Sequence, residues 1–362
     1  MNKQRILYVD IARIVSCLLV LSYHFALAVG SSLVTADISK YNNWGNLYSP
    51  SAVACFIIVS GAMLMYQYSD SGFSIKKFYL KRIKSIFPLF WVAWLIAFIN
   101  SLSIHKAFPF PNVPKLNFLL TLTGLDGWIA TNGAFGIAMH NTFYLVGEWF
   151  LGLIIVLYVL FPIFYYAAKK NKYLMPVLLG ILTCVFEVYN PLNEVLDTSL
   201  IVNAFYFSLG ILIYQILSGL SDDKRNRCEC ILGGIGIIIY VVYLFLPNML
   251  TYCPRRIVFL GGALAIYFAS MGLGALLQGK YYSRLAIGKG LEKVISNIAK
   301  YTFAVFLLHH FIMLRIIGRF AGANWTGTKL FIAFIAILII VIIISVIVDY
   351  ITKKVVKLFN RS

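Results

Sequence analysis

The sequence predicts an all-α fold: a polytopic membrane bundle of about ten transmembrane helices with both termini cytoplasmic. Three observations predict it. Hydrophobic residues make up 61% of the 362 residues and charged residues only 12%, against roughly 25% charged in an ordinary soluble domain. Mean hydropathy is +0.85. The apolar residues also gather into stretches of about 20, the length that crosses a hydrocarbon core.

Taken in order, the expected spans are 7–29, 50–68, 85–103, 143–168, 173–189, 200–219, 231–247, 256–277, 297–318 and 329–351. The last holds "LFIAFIAILIIVIIISVIV" without a charge, whereas 173–189 is the weakest of the ten. No soluble domain fits between spans, so residues 1–362 read as one integral membrane domain. Orientation follows from the basic residues. With the N-terminus inside, 22 of the 31 lysines and arginines fall in inner segments and eight in outer segments or outer helix ends. That asymmetry is the positive-inside bias, and removing one span would scramble it.

The same bias accounts for the net charge of +18. A nucleic-acid binder would need a basic patch on a soluble fold, and none is evident. The six cysteines, Cys17, Cys55, Cys184, Cys228, Cys230 and Cys253, form neither a disulfide framework nor a metal-ligand spacing. Lys3 and Arg5 before an apolar stretch, with "ALA" at 26–28, resemble a cleavable signal. Asp10, Arg13 and His24 would interrupt its hydrophobic region, so the first span is expected to remain. Residues 104–142 form a long outer connection rich in proline, glycine and aromatic residues. It reads equally as a structured lid or re-entrant piece and as an unstructured loop.

The informative residues are the polar ones inside the spans. A helix turns 100° and rises 1.5 Å per residue, so Arg13 and His24 lie about 20° apart in projection and ~16 Å apart along the axis. Asp10 lies within about 60° of Arg13. One polar stripe therefore runs from the inner surface to the outer half, with Cys17 and Val20 between. Asp10 and Arg13 by themselves could be a snorkelling i,i+3 ion pair. His24 lies well past mid-span, where an ionisable group is costly and faces protein or a water-filled cavity. Glu148 lies in the outer third of the fourth span. His309 lies near mid-membrane in the ninth. His309 and His310 stand about 100° apart on one helix, so they are not expected to point to one site. A haem held by His24 and His309 is conceivable, but nothing else marks a cytochrome. The inner stretch "SIKKFYLKRIKSIFPLFW" is either topological bias or a site for a phosphate-rich ligand.

Together these segments resemble acyltransferase family 3, integral membrane acyltransferases that include O-acetyltransferases of bacterial surface polysaccharides. Asp10, Arg13 and His24 match its opening pattern. "FIIVSGAML" (56–64), "KKFYLKRIKSIFPLFW" (76–91), "EWFLGLIIVLYVLFP" (148–162) and "KYTFAVFLLHH" (300–310) are similar to its later elements, in order, over nearly the whole chain. The family's basic loop often carries two arginines three residues apart. Here Arg82 matches the first and Ser85 occupies the second, flanked by Lys81 and Lys84, which offer point charges rather than a bidentate fork.

The resemblance implies a membrane O-acetyltransferase moving an acetyl group from acetyl-CoA, a co-substrate, to a hydroxyl of a surface polysaccharide or lipid-linked glycan. No permanently bound cofactor or metal is implied. It implies His24 as general base or transient acyl carrier, with Asp10 holding Arg13. Arg13, Lys81, Arg82 and Lys84 would bind the donor; Glu148, Trp149 and His309 would bind or orient the acceptor. The bilayer expected is a bacterial plasma membrane, and the sequence leaves a homo-oligomer open. The rival class is a glycan, lipid or small-solute transporter, which shares the spans and buried charges but often shows paired broken helices; no such pair is evident.

Overall fold

The computed structural model describes residues 5–32, 39–69, 72–105, 109–132, 142–193, 195–245, 253–278 and 286–359. Among them there is no strand. The helices are α1 (Leu7–Ser32), α2 (Ser39–Tyr68), α3 (Ile75–His105), α4 (Phe118–Thr123), α5 (Asp126–Asn132), α6 (Glu148–Lys170), α7 (Leu174–Tyr189), α8 (Leu200–Ser218), α9 (Asp222–Phe245), α10 (Arg255–Gln278), α11 (Ala286–Ala299), α12 (Thr302–Ile317) and α13 (Gly327–Phe359). Nine helices among the described residues are long and apolar enough to cross a membrane. The remaining expected span is α7, apolar but only 16 residues long. At 1.5 Å per residue it covers ~24 Å, short of the ~30 Å hydrocarbon core. Asn190 ends it in the left-handed region at φ 39°, and the chain turns back early. That early turn matters for the site.

A soluble protein would not leave Phe331, Ile332, Ile339, Ile343 and Ile347 of α13, or Ile231, Ile238 and Phe245 of α9, about half exposed or more. In a bilayer these are lipid-facing side chains, and the helical backbone satisfies its own polar groups. Between helices, close approach replaces the hydrophobic drive that lipid removes. A methyl on Gly210 would come within 1.9 Å of the Ile58 carbonyl oxygen, and one on Gly61 within 2.1 Å of that of Phe207. α2 and α8 therefore touch backbone to backbone. Gly233 and Gly272 bring α9 onto α10 in the same way.

Two cores result. One gathers α2, α8, α10 and the inner half of α1 around Ile57, Ile58, Phe207 and Tyr267. The other gathers α3, α12, α13 and the outer half of α1 around Leu21, Phe90, Leu308 and Met313. Phe56, Phe150 and Tyr158 pack against both, so α2 and α6 contribute to a seam between the two halves. Arg5 and Lys353 meet at one end of this seam, which puts the two described ends of the chain at the same end of the bundle, the basic end.

The outer connection is structured over much of its length. Gly124, at φ 71°, turns the chain between α4 and α5. Trp91 Nε1 donates to Leu122 O at 3.0 Å and Trp94 Nε1 to Phe143 O at 2.8 Å. Asp126, buried at the start of α5, accepts from Thr121 Oγ1 at 2.7 Å and the Gly127 N–H at 2.9 Å. Burial pushes its carboxyl above the usual carboxylate range, against the pull of these two donors. Residues 133–141 lie outside the described residues.

Candidate active site

The site grows out of α1. Its face from Asp10 to His24 runs along the seam, and the side chains on it serve two different cavities. At the basic end, Asp10 is 1% exposed. Its carboxylate is held by Arg5 through Nε and Nη2, and by Ser296 Oγ at 3.0 Å. The expected Asp10–Arg13 pair is therefore not the one formed. Arg5, just before the helix, can swing its planar fork into bidentate register with the carboxylate, whereas Arg13 is fixed on the helix and turns into the cavity.

That cavity has a volume of about 530 Å³ and is lined by Arg5, Arg13, Arg82, Lys300 and Lys353. Among the described residues no carboxylate lines it. Arg5 is compensated by Asp10, and Lys353 by Asp349 at 2.5 Å. Arg13, Arg82 and Lys300 have no salt-bridge partner among the described residues. Arg82 is held in place by Gln67 Oε1 at 3.0 Å and by the rings of Phe78 and Tyr158, each 5.8 Å from its guanidinium carbon. These five cations thus converge on one concave, partly apolar space. Ser85, at the departure from the family's pattern, lines the same space. Lys81 and Lys84 are exposed and stand outside it: residues 82, 85 and 86 share one helical face, and 81 and 84 lie on the next.

The second cavity, about 240 Å³, lies toward the other end of the bundle and is lined by His24, Tyr23, Trp149, Asp197, Tyr206 and Arg256, among others. Phe150 and Phe306 line both cavities. Their rings meet edge to face at 5.2 Å, and Phe56 abuts Phe150 at 5.9 Å. A pair of aromatic rings therefore forms the partition between a cationic chamber and a mixed polar one.

His24 is half-buried and sits at the second cavity's wall. Both His309 and His310 pack against it, with ring centroids 4.9 and 5.0 Å away. The expectation that His309 and His310 cannot serve one site holds for a ligand on their own axis but fails here: α1 packs along the ridge between them. His309 is 0% exposed and stands behind His24 rather than on the cavity wall. Its Nδ1 lies 2.7 Å from Phe306 O and 3.2 Å from Val305 O. Carbonyls only accept, so Nδ1 carries a proton and donates. Among the described residues no group of three or more His, Cys, Asp or Glu side chains is arranged to hold a metal ion.

Of the residues expected to meet an acceptor, Trp149 lines the second cavity. Glu148 opens α6, and its side chain lies outside the described residues. The polar wall opposite His24 comes from elsewhere. Arg256, in the first turn of α10 and 8% exposed, pairs with Asp197 through Nη1 and has Glu187 Oε2 3.3 Å from its Nε. The short α7 makes this possible. It ends at Glu187–Tyr189, and the chain then folds inward to set Asp197 beside Arg256. In the sequence Arg256 reads only as an outer charge, and Asp197, Lys300 and Lys353 do not stand out. Arg256 opens the expected span 256–277, which is the one local hint that it is drawn into the bundle.

Searches for similar curated proteins and for similar solved structures give no match. The acyltransferase domain family, Acyl_transf_3, matches residues 6–350, from the start of α1 into α13. A match of that extent, on a bundle of apolar helices, means that the chain belongs to acyltransferase family 3 and is a multi-pass membrane acyltransferase.

Proposed function

We propose that the protein transfers an acetyl group from acetyl-CoA to a hydroxyl of a cell-surface glycan or its lipid-linked precursor, in a bacterial plasma membrane. The observation that carries this reading is the meeting of two chemically different cavities at Phe150 and Phe306, along the helix face that bears Arg13 and His24. The cationic cavity suits the phosphates of a CoA thioester, because guanidinium and ammonium groups form charge-assisted hydrogen bonds to phosphate oxygens. Positive-inside bias puts that end in the cytoplasm, where the donor is made. The flexible arm of the donor then runs along the stripe, turns the Phe150 and Phe306 rings apart, and brings the thioester between them to His24.

In the second cavity the acceptor hydroxyl lies against His24. The imidazole takes the hydroxyl proton as the oxygen attacks the thioester carbonyl carbon. The tetrahedral intermediate collapses, the carbon–sulfur bond breaks, and the CoA sulfur receives the proton. The acetyl group can also rest on His24 between two half-reactions. His309 acts as a positioning residue: its anchored Nδ1–H and complete burial hold the His24 ring against the cavity.

The reading is tested by incubating purified protein in lipid nanodiscs with labelled acetyl-CoA and envelope glycan extracted from a bacterial cell wall. Acetyl-CoA-dependent label in ester-linked glycan is expected, removable by mild alkali. Movement of glycan across a vesicle membrane without acetyl-CoA consumption would instead make the protein a transporter.

A further inference from the structure

The two cavities differ in charge as sharply as in position. Among the described residues the cationic cavity has five basic side chains and no carboxylate on its wall. On the wall of the second, Asp197 and Arg256 are the charged groups among the described residues, and Glu187 stands behind Arg256. On the wall these two charges balance, and Glu187 adds a carboxylate behind Arg256, so a further anion meets no uncommitted cation there among the described residues. The cavity's volume of about 240 Å³ falls below the ~300–1,000 Å³ of pockets for drug-sized ligands, which limits it to a group the size of one sugar ring.

The wall is also preorganised. Residues 195–198 are clamped to α5 by the Val195 N–H to Asn132 O at 2.7 Å, Asn132 Nδ2 to Thr198 O at 3.2 Å and Trp128 Nε1 to Thr198 O at 2.8 Å. Asn203 Nδ2 donates to Asp197 O at 3.1 Å. Arg256 engages Asp197 at Oδ1, yet the Asp197 side chain remains 36% exposed at the cavity. An ionised carboxylate has about four lone-pair sites on its two oxygens, so accepting capacity remains. Trp149, Tyr23 and Tyr206 supply flat apolar faces around it.

We propose that this cavity is a subsite for one neutral or amine-bearing sugar unit, in which Asp197 accepts from the acceptor's hydroxyls, Arg256 positions Asp197, and an acceptor with its own carboxylate or phosphate beside the reacting hydroxyl is excluded. The inference rests on the acetyltransferase reading above and deepens it. An anionic sugar would place its charge against Asp197 and Glu187, with Arg256 already committed to both, whereas a hydroxyl or ammonium group meets an acceptor of the right sign. The subsite lies opposite His24, so a ring held there presents one hydroxyl to the imidazole.

The test uses purified protein in nanodiscs, acetyl-CoA as donor, and three probes with one ring: methyl glucoside, methyl glucosaminide and methyl glucuronide. CoA release and sugar acetylation are both followed. The first two probes are expected to stimulate CoA release and become acetylated, and the glucuronide to be at least about tenfold poorer in kcat/KM, as for loss of one interaction with a charged group. Asp197→Asn should raise the KM for methyl glucoside by about tenfold while the KM for acetyl-CoA stays within about twofold. Because Asp197→Asn also disturbs the Arg256 pair, the exchange Asp197→Arg/Arg256→Asp, made together with Glu187→Gln so that the relocated carboxylate does not face Glu187, serves as the second variant. It should restore wild-type thermal stability without restoring the KM for methyl glucoside.

A glucuronide that is acetylated as well as the glucoside overturns the proposal. So does CoA release to water that no neutral or amino sugar stimulates, or an exchange variant with wild-type acceptor KM. An absence of any acetyl-CoA turnover by the wild-type protein would instead defeat the acetyltransferase reading itself.

Discussion

Replacing His24 with alanine is expected to lower acetyl transfer by about a thousandfold, in the middle of the range for removal of a general acid–base group, while acetyl-CoA still binds with near-wild-type affinity. The separation follows from the geometry. His24 lies on the wall of the second cavity and not on that of the cationic one, so its loss removes proton transfer and leaves the phosphate-binding end intact. The helix should survive, since His24 is half-buried and α1 is held mainly by contacts of residues such as Val9, Ala12, Leu21 and Val29. Turnover and acetyl-CoA binding, measured on the same preparation by initial rates and calorimetry, check both halves. Retention of the wild-type rate would remove His24 from the chemistry. His309→Ala should also slow turnover, by displacing the His24 ring, with a smaller effect than His24→Ala.

The second large effect is expected in the cationic cavity. Arg13→Ala, Arg82→Ala and Lys300→Ala should each raise the acetyl-CoA KM by about tenfold or more, the weight of a hydrogen bond to a charged group, with kcat changing less. Lys81→Ala and Lys84→Ala should change it by less than about twofold, because exposed charges that face water are worth little. This contrast reverses the weight that sequence alone gives these residues. The KM of the wild-type protein should also rise with ionic strength, since part of the attraction is long-range and screened. Equal effects from Lys81 and Arg82 would mean that the donor's phosphates sit outside the cavity.

The helices were legible because lipid imposes a simple rule: runs of apolar residues long enough to cross, with lysine and arginine on one side. The uncertain span, 173–189, was uncertain for a real reason, since α7 is a short helix of 16 residues. The Arg13–His24 stripe was legible because both residues lie on one helix, where periodicity fixes the face. The donor cavity was only half legible. Arg82 stood out in a basic run, but periodicity within that run also decides that Lys81 and Lys84 face elsewhere. Lys300 and Lys353 join Arg13 only through packing of α12 and α13 on α1. The polar wall of the second cavity was least legible. Asp197 sits in a turn, Arg256 some sixty residues later, and nothing local couples them. What brings them together is the chain after α7, a crossing helix of only 16 residues that ends at Asn190. The expected pairing of Asp10 with Arg13 failed on a similar ground: spacing on a helix proposed the pair, and a freer arginine upstream took the carboxylate.

The central claim is that the acetyl group passes from the basic end of the bundle to a sugar hydroxyl at the other end, between Phe150 and Phe306. Proteoliposomes sorted by orientation through a C-terminal affinity tag test it most directly. Labelled acetyl-CoA is supplied outside, and methyl glucoside is trapped inside. When the basic end faces outward, acetylated glucoside should accumulate within the sealed vesicles, and with the opposite orientation it should not. Equal rates in both orientations, or acetylation only when donor and acceptor share one side of the membrane, would contradict the account.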